Sequence, residues 1–206
     1  MQTLIEALLN SSGLEVAAVV FAISYLLLAI RQSILCWVAA LISSAMYCFI
    51  FFSVELYLES VLQIFYLAMA VYGWISWKGY LQAESKSLEI TSLSVQKNLI
   101  VIVTLALLTS ASGFALDNDP TLDYLDAFTT WGAIIATFMV AKKILENWLY
   151  WMVIDSVAIY LYLEKGLYLT ALLFAAYVLI ALAGYLAWFR DHKLKGAASK
   201  IFPNTT

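Results

Sequence analysis

Aromatic and glycine residues recur at one fixed spacing through a chain built of apolar runs. Trp37 and Trp148, Tyr57 and Tyr168, Tyr66 and Tyr177, Gly73 and Gly184, and Trp77 and Trp188 each stand 111 positions apart, with no gap needed between pairs. The same offset carries Leu56-Tyr57-Leu58 onto Leu167-Tyr168-Leu169. A duplicated set of membrane helices is a signature of transporters, because two halves that rock against each other expose a midplane site to either side.

The runs that hold this repeat need a lipid solvent. Of 206 residues, 64% are hydrophobic and only 12% are charged, more apolar side chain than a soluble domain of this length could hide. About 20 mostly apolar residues make one crossing of a bilayer. Seven such runs are expected to be helices, at about 14–30, 34–53, 57–77, 97–116, 124–140, 145–163 and 167–189. No basic start precedes the first run, and Glu6 and Glu15 flank it, so a cleaved signal is not expected. Cys36 and Cys48 share one run. Their twelve-residue separation spans about 18 Å of helix, too far for a disulfide. Short turns at Glu55 and at Glu164-Lys165-Gly166 make their flanking runs antiparallel hairpins.

The basic residues orient the bundle. Alternate loops put Arg31, Lys78, Lys86, Lys97, Lys142, Lys143, Arg190, Lys193, Lys195 and Lys200 on one side. The other side receives only Lys165, with Glu55, Glu59, Asp117, Asp119, Asp123, Asp126 and Glu164. The positive-inside rule makes the first side the cytoplasm, with the N-terminus outside and the C-terminus inside. Runs one to three match runs five to seven. A three-helix unit crosses an odd number of times, so the unmatched run 97–116 restores the direction of the second copy. The expected fold is therefore an all-α membrane protein of two parallel three-helix repeats (14–77 and 124–189), a linker helix and a cytoplasmic tail (190–206). This 3+1+3 plan is that of SWEET-type carriers. Thr109-Ser110-Ala111-Ser112-Gly113 in the linker suits close helix packing.

Candidate ligand residues lie on matched faces. Gln63, Tyr66, Ala70, Gly73 and Trp77 share one face of the third helix, as do Phe174, Tyr177, Ala181, Gly184 and Trp188 of the seventh. Trp77 and Trp188, at the cytoplasmic ends, read as headgroup anchors. For the deeper Tyr66 and Tyr177, packing and ligand contact both stay open. On the sixth helix Asn147, Trp151 and Asp155 are four apart and share a face, while the offset maps them onto the small residues Cys36, Ala40 and Ser44. Asp155 is the sole acid well inside a span, where a carboxylate costs at least about 2.5 kcal/mol. It reads as a counter-charge to a cationic substrate, a proton-coupling group, or a neutral acid bonded to a neighbouring Tyr or Ser. Gln63 can donate and accept at once, either to a ligand or across helices. The candidate site is thus Gln63, Tyr66, Asn147, Trp151, Asp155 and Tyr177. No metal cluster, phosphate loop or Ser/His/Asp set lies at membrane depth. His192, the one histidine, is in the tail, so neither an enzyme nor a metal or cofactor site is expected. Lys193, Lys195 and Lys200 are expected to meet anionic headgroups.

Through these residues the chain resembles the PnuC family of bacterial vitamin transporters, and within it the nicotinamide riboside carriers. The first half carries Arg31-Gln32-Ser33, Cys36-Trp37, Leu56-Tyr57, Leu62-Gln63 with Tyr66, and the YGWxxW signature Tyr72-Gly73-Trp74-Ile75-Ser76-Trp77. The second carries Lys143, Glu146-Asn147-Trp148, Trp151, Asp155 and Gly166-Leu167-Tyr168-Leu169-Thr170-Ala171. The resemblance spans 14–190. One departure is Thr137, where many relatives have Gln before the basic pair. The resemblance implies seven helices and facilitated diffusion of unphosphorylated nicotinamide riboside across the inner membrane. It also implies trapping by a cytoplasmic ribosylnicotinamide kinase, and a homotrimer. Aromatic faces attract a pyridinium and amides suit a carboxamide and ribose hydroxyls. These residues alone do not select that vitamin over thiamine, riboflavin or a sugar, and a non-transporting membrane module is a further alternative.

Overall fold

The computed structural model describes residues 13–53, 55, 57–79, 88–116, 120–164 and 168–201. Expectations for Glu6, Lys86, Asp117, Asp119, Lys165 and Gly166 lie outside the described residues, as do the side chains of Tyr57, Glu59, Tyr168 and Lys200. Among the described residues seven helices follow one another: α1 Gly13–Ile30, α2 Leu35–Ser53, α3 Tyr57–Trp77, α4 Val95–Leu116, α5 Pro120–Ala141, α6 Asn147–Glu164 and α7 Tyr168–Ile201. In hydrocarbon no water satisfies the backbone, so each apolar run closes its own N–H and C=O groups as a helix. Six of the seven are long and apolar enough to cross a membrane. The exception is α6, whose 18 residues include Asn147, Asp155 and Glu164.

Two boundaries differ from expectation by more than two residues. α5 begins at Pro120, where the missing N–H of proline suits a first helical turn. α7 does not stop near residue 189 but runs to Ile201, 34 residues in all. At 1.5 Å per residue that is about 50 Å, well beyond a hydrocarbon core of about 30 Å. The charged residues from Arg190 onward continue the helix rather than forming a loose tail.

The chain divides into two compact units, residues 1–88 and 89–206. In the first, α1 packs on α2 and α2 on α3; in the second, α4 packs on α5, α5 on α6 and α6 on α7. The small residues of α4 do allow close approach. Trp131 Nε1 on α5 donates to Ser112 Oγ at 2.9 Å, and a Cβ at Gly113 would overlap the Tyr124 ring.

Each unit contains the same local machinery at the 111-residue offset. α1 ends with Gln32 N–H donating to Ala29 O and Ser33 N–H to Leu28 O; α5 ends with Lys143 N–H donating to Val140 O and Ile144 N–H to Met139 O, all at 2.9 Å. These are Schellman caps, which put one residue in the left-handed region. Here it is Gln32 (φ 53°) and Lys143 (φ 49°), not glycine. Beyond each cap comes a tryptophan wedge. Trp37 meets Trp77 edge-on at 5.4 Å and 87°, and Trp148 meets Trp188 at 5.5 Å and 90°. Both central rings lie flat over a glycine, Gly73 or Gly184, where a Cβ would overlap them. Trp77 and Trp188 are therefore not headgroup anchors. Both are buried, because the two-ring wedge draws them into the helix interfaces.

Candidate functional site

In the second unit Asn147 and Asp155 lie on the buried face of α6. Leu149, Val153, Ser156, Tyr160 and Leu163 are exposed, whereas Asn147, Ile154, Asp155, Ala158 and Leu161 are buried. Asn147 opens the helix and is 0% exposed. Its Nδ2 donates to Ile144 O at 2.6 Å, while its buried Oδ1 has no partner. Trp151 and Asp155 follow one and two turns deeper, about 6 and 12 Å along the axis. Asp155 is 4% exposed. Among the described residues no hydrogen bond or ion pair reaches its carboxylate, so the Tyr or Ser bond of one of its three readings is not found there. Trp151 is half-buried.

Tyr177 on α7 is half-buried and belongs to an aromatic group. Its ring lies 5.5 Å from Phe174 at 66°, and Phe174 lies 5.0 Å from Tyr162 of α6. Tyr162 was not singled out by the sequence, although the 111 offset pairs it with another aromatic residue, Phe51. Thr137 is buried and its hydroxyl donates to Ala133 O at 2.7 Å. The hydroxyl of the departing position is thus spent on its own helix.

In the first unit, Gln63 and Tyr66 sit on the stripe of α3 that continues through the buried Met69, Ala70, Gly73, Ser76 and Trp77, opposite the exposed Val61, Ile64 and Val71. Both are half-buried, and Tyr66 packs edge-on against Phe65 at 5.5 Å. The small residues Cys36 and Ser44 on α2 are buried. Cys36 and Cys48 are free thiols. Among the described residues no group of acids, histidines and cysteines could hold a metal ion.

A set of contacts absent from the sequence reading gathers at the start of α6. Thr91 and Ile144 form a short parallel bridge, and the Glu146 carboxylate accepts from Leu93 N–H at 3.0 Å and from the Ser92 hydroxyl. The α7 extension joins it. His192 Nδ1 lies 3.0 Å from Ile90 O, and Lys195 Nζ lies 3.2 Å from the Glu89 carboxylate. Lys195 thus pairs within the protein, and Lys193 lies 4.6 Å over the Phe189 ring; both remain exposed.

A family model described as nicotinamide mononucleotide transporter matches residues 12–190. The nicotinamide riboside transporter PnuC of Escherichia coli (strain K12) is 27% identical over 183 residues, covering 76% of this chain and 77% of the relative. The protein of the same name from Shigella flexneri matches equally. A solved structure titled "Crystal structure of the Vitamin B3 transporter PnuC" aligns with TM-score 0.69 at 22% identity, covering 89% of this chain and 83% of the other. That structural match carries the fold, and the family match spans most of the chain. The protein belongs to the nicotinamide mononucleotide transporter family, the family of the PnuC membrane transporters, whose members here are transporters and not enzymes.

Proposed function

We propose that the protein is a uniporter for nicotinamide riboside in the bacterial inner membrane. The observation that carries this reading is the inner face of α6. In a membrane helix it holds a buried carboxylate without a protein partner among the described residues, a buried amide oxygen without one, and a half-buried indole between them. Burying such groups is costly unless something pairs with them. A cationic, aromatic, hydroxylated solute supplies what they lack. Asn147, Trp151, Asp155 and Tyr177 of the second unit are proposed to contact it, the aromatics stacking on the pyridinium ring and the amide reading the carboxamide and ribose; Gln63 and Tyr66 are proposed as ligand contacts of the first unit.

The printed family description speaks of a mononucleotide, and the relatives' names of a riboside. The side chains favour the riboside. A phosphate dianion would need cations, yet the eleven basic residues avoid the interior of every run, and Asp155 would repel it. Conversion of the riboside to a phosphate ester by a cytoplasmic kinase would then trap it inside.

The paired caps and tryptophan wedges support two parallel three-helix repeats, α1–α3 and α5–α7, with α4 as linker. The charge asymmetry supports an outside N-terminus and an inside C-terminus. Homotrimer assembly is proposed on the family resemblance. Titration calorimetry on the purified protein tests the ligand. Nicotinamide riboside should bind, while its 5′-phosphate, thiamine, riboflavin and glucose should not compete. Binding of the phosphate ester as tight as that of the riboside would overturn the assignment.

A further inference from the structure

The segment Glu89–Ser94 forms a strap along one end of the second unit, and its hydrogen bonds converge on the turn that launches α6. Thr91 N–H donates to Lys143 O at 3.0 Å, and Leu145 N–H donates to Thr91 O at 2.8 Å. Glu146 grips the next two residues, accepting from the Ser92 hydroxyl and from Leu93 N–H.

The residue bridged to Thr91 is Ile144, and Ile144 O is the acceptor for Asn147 Nδ2. Leu145 N–H shares a peptide group with that carbonyl and donates to Thr91 O, so the strap orients the acceptor of the Asn147 amide. With its nitrogen spent there, Oδ1 is left buried without a partner. Glu146 immediately precedes Asn147, and both its oxygens are used on the strap.

We propose that Glu146 is a positioning residue for the ligand site: by clamping the strap to the turn it fixes the Asn147 amide so that Oδ1 presents one acceptor to a donor on the ligand. It acts through Asn147 and does not touch the ligand. The proposal rests on the reading of Asn147 as a ligand contact.

A double-mutant cycle read by calorimetry with nicotinamide riboside tests it. Asn147→Ala should weaken binding about tenfold and Glu146→Ala about fivefold, since charge-assisted hydrogen bonds are the stronger kind. Glu146→Gln keeps one acceptor and should lose only about twofold. The double variant should bind no worse than Asn147→Ala alone, because coupled residues are not additive. Should Glu146→Ala fail to fold, Ser92→Ala releases half of the same grip and should lose about twofold in the parent and nothing in Asn147→Ala. Losses that multiply to about fiftyfold, or parental affinity in Glu146→Ala, would overturn the positioning role. Parental affinity in Asn147→Ala would instead sink the site itself, and the Glu146 inference with it.

Discussion

At Glu55, between α2 and α3, the backbone adopts φ 64°, a left-handed conformation that costs a residue with a Cβ about 1–2 kcal/mol. Its side chain is exposed, and the offset of 111 puts Gly166 at the corresponding position of the second copy. Glu55→Gly should therefore raise stability by about 0.5–1 kcal/mol, less than the full strain because glycine also frees the unfolded chain. Thermal unfolding in detergent checks this, and a lower midpoint would show that the glutamate contributes something else. The ligand residues can be tested at the same scale. Trp151→Ala should cost about 1–2 kcal/mol of binding if it stacks on a desolvated cation. Gln63→Ala should cost a similar amount through a lost buried hydrogen bond. If Trp151→Ala and Asn147→Ala both bind as tightly as the parent, the α6 face is helix packing. The i, i+4 spacing of Asn147, Trp151 and Asp155 made their shared face legible, because helical periodicity is a local property. What each atom bonds to was not legible. Asn147 Nδ2 finds Ile144 O only through the geometry of a turn.

The helices themselves were largely legible, since long apolar runs in lipid have little choice of backbone. The end of α7 was not. Arg190-Asp191-His192-Lys193 ends the apolar run, which marks the membrane boundary but not the end of the helix. Leu, Lys and Ala beyond it are good helix formers, and the contacts of His192 and Lys195 with the strap hold that extension in place. The strap was hidden for a different reason: its partners stand more than fifty positions apart in the chain and follow no period. The repeat, by contrast, was visible as spacing, and the structure gives that spacing a physical content. Gly73 and Gly184 are needed because an indole occupies the place of a Cβ. Gly73→Ala and Gly184→Ala should each destabilise by about 1–3 kcal/mol, the usual cost of overpacking, and by similar amounts. Unfolding in detergent measures both. A parental midpoint in either variant would mean that its wedge yields freely.

At the scale of the whole molecule, the charge asymmetry and the transport reaction make separate claims. In a background with Cys36 and Cys48 replaced, Thr3→Cys should react with an impermeant thiol reagent in intact cells and Asn204→Cys should not. The reverse pattern would overturn the topology. For the reaction, the proposed site offers one lone acid and no second charged group to bind a driving ion. The proposed uniport is movement down a gradient and nothing more. The direct measurement is uptake of labelled nicotinamide riboside into liposomes that contain the purified protein and no kinase. Uptake should depend on the protein and stop when the concentrations inside and outside are equal, with or without an imposed pH or sodium gradient. Accumulation above the outside concentration under either gradient would contradict uniport and would make Asp155 the first place to look for the coupled proton.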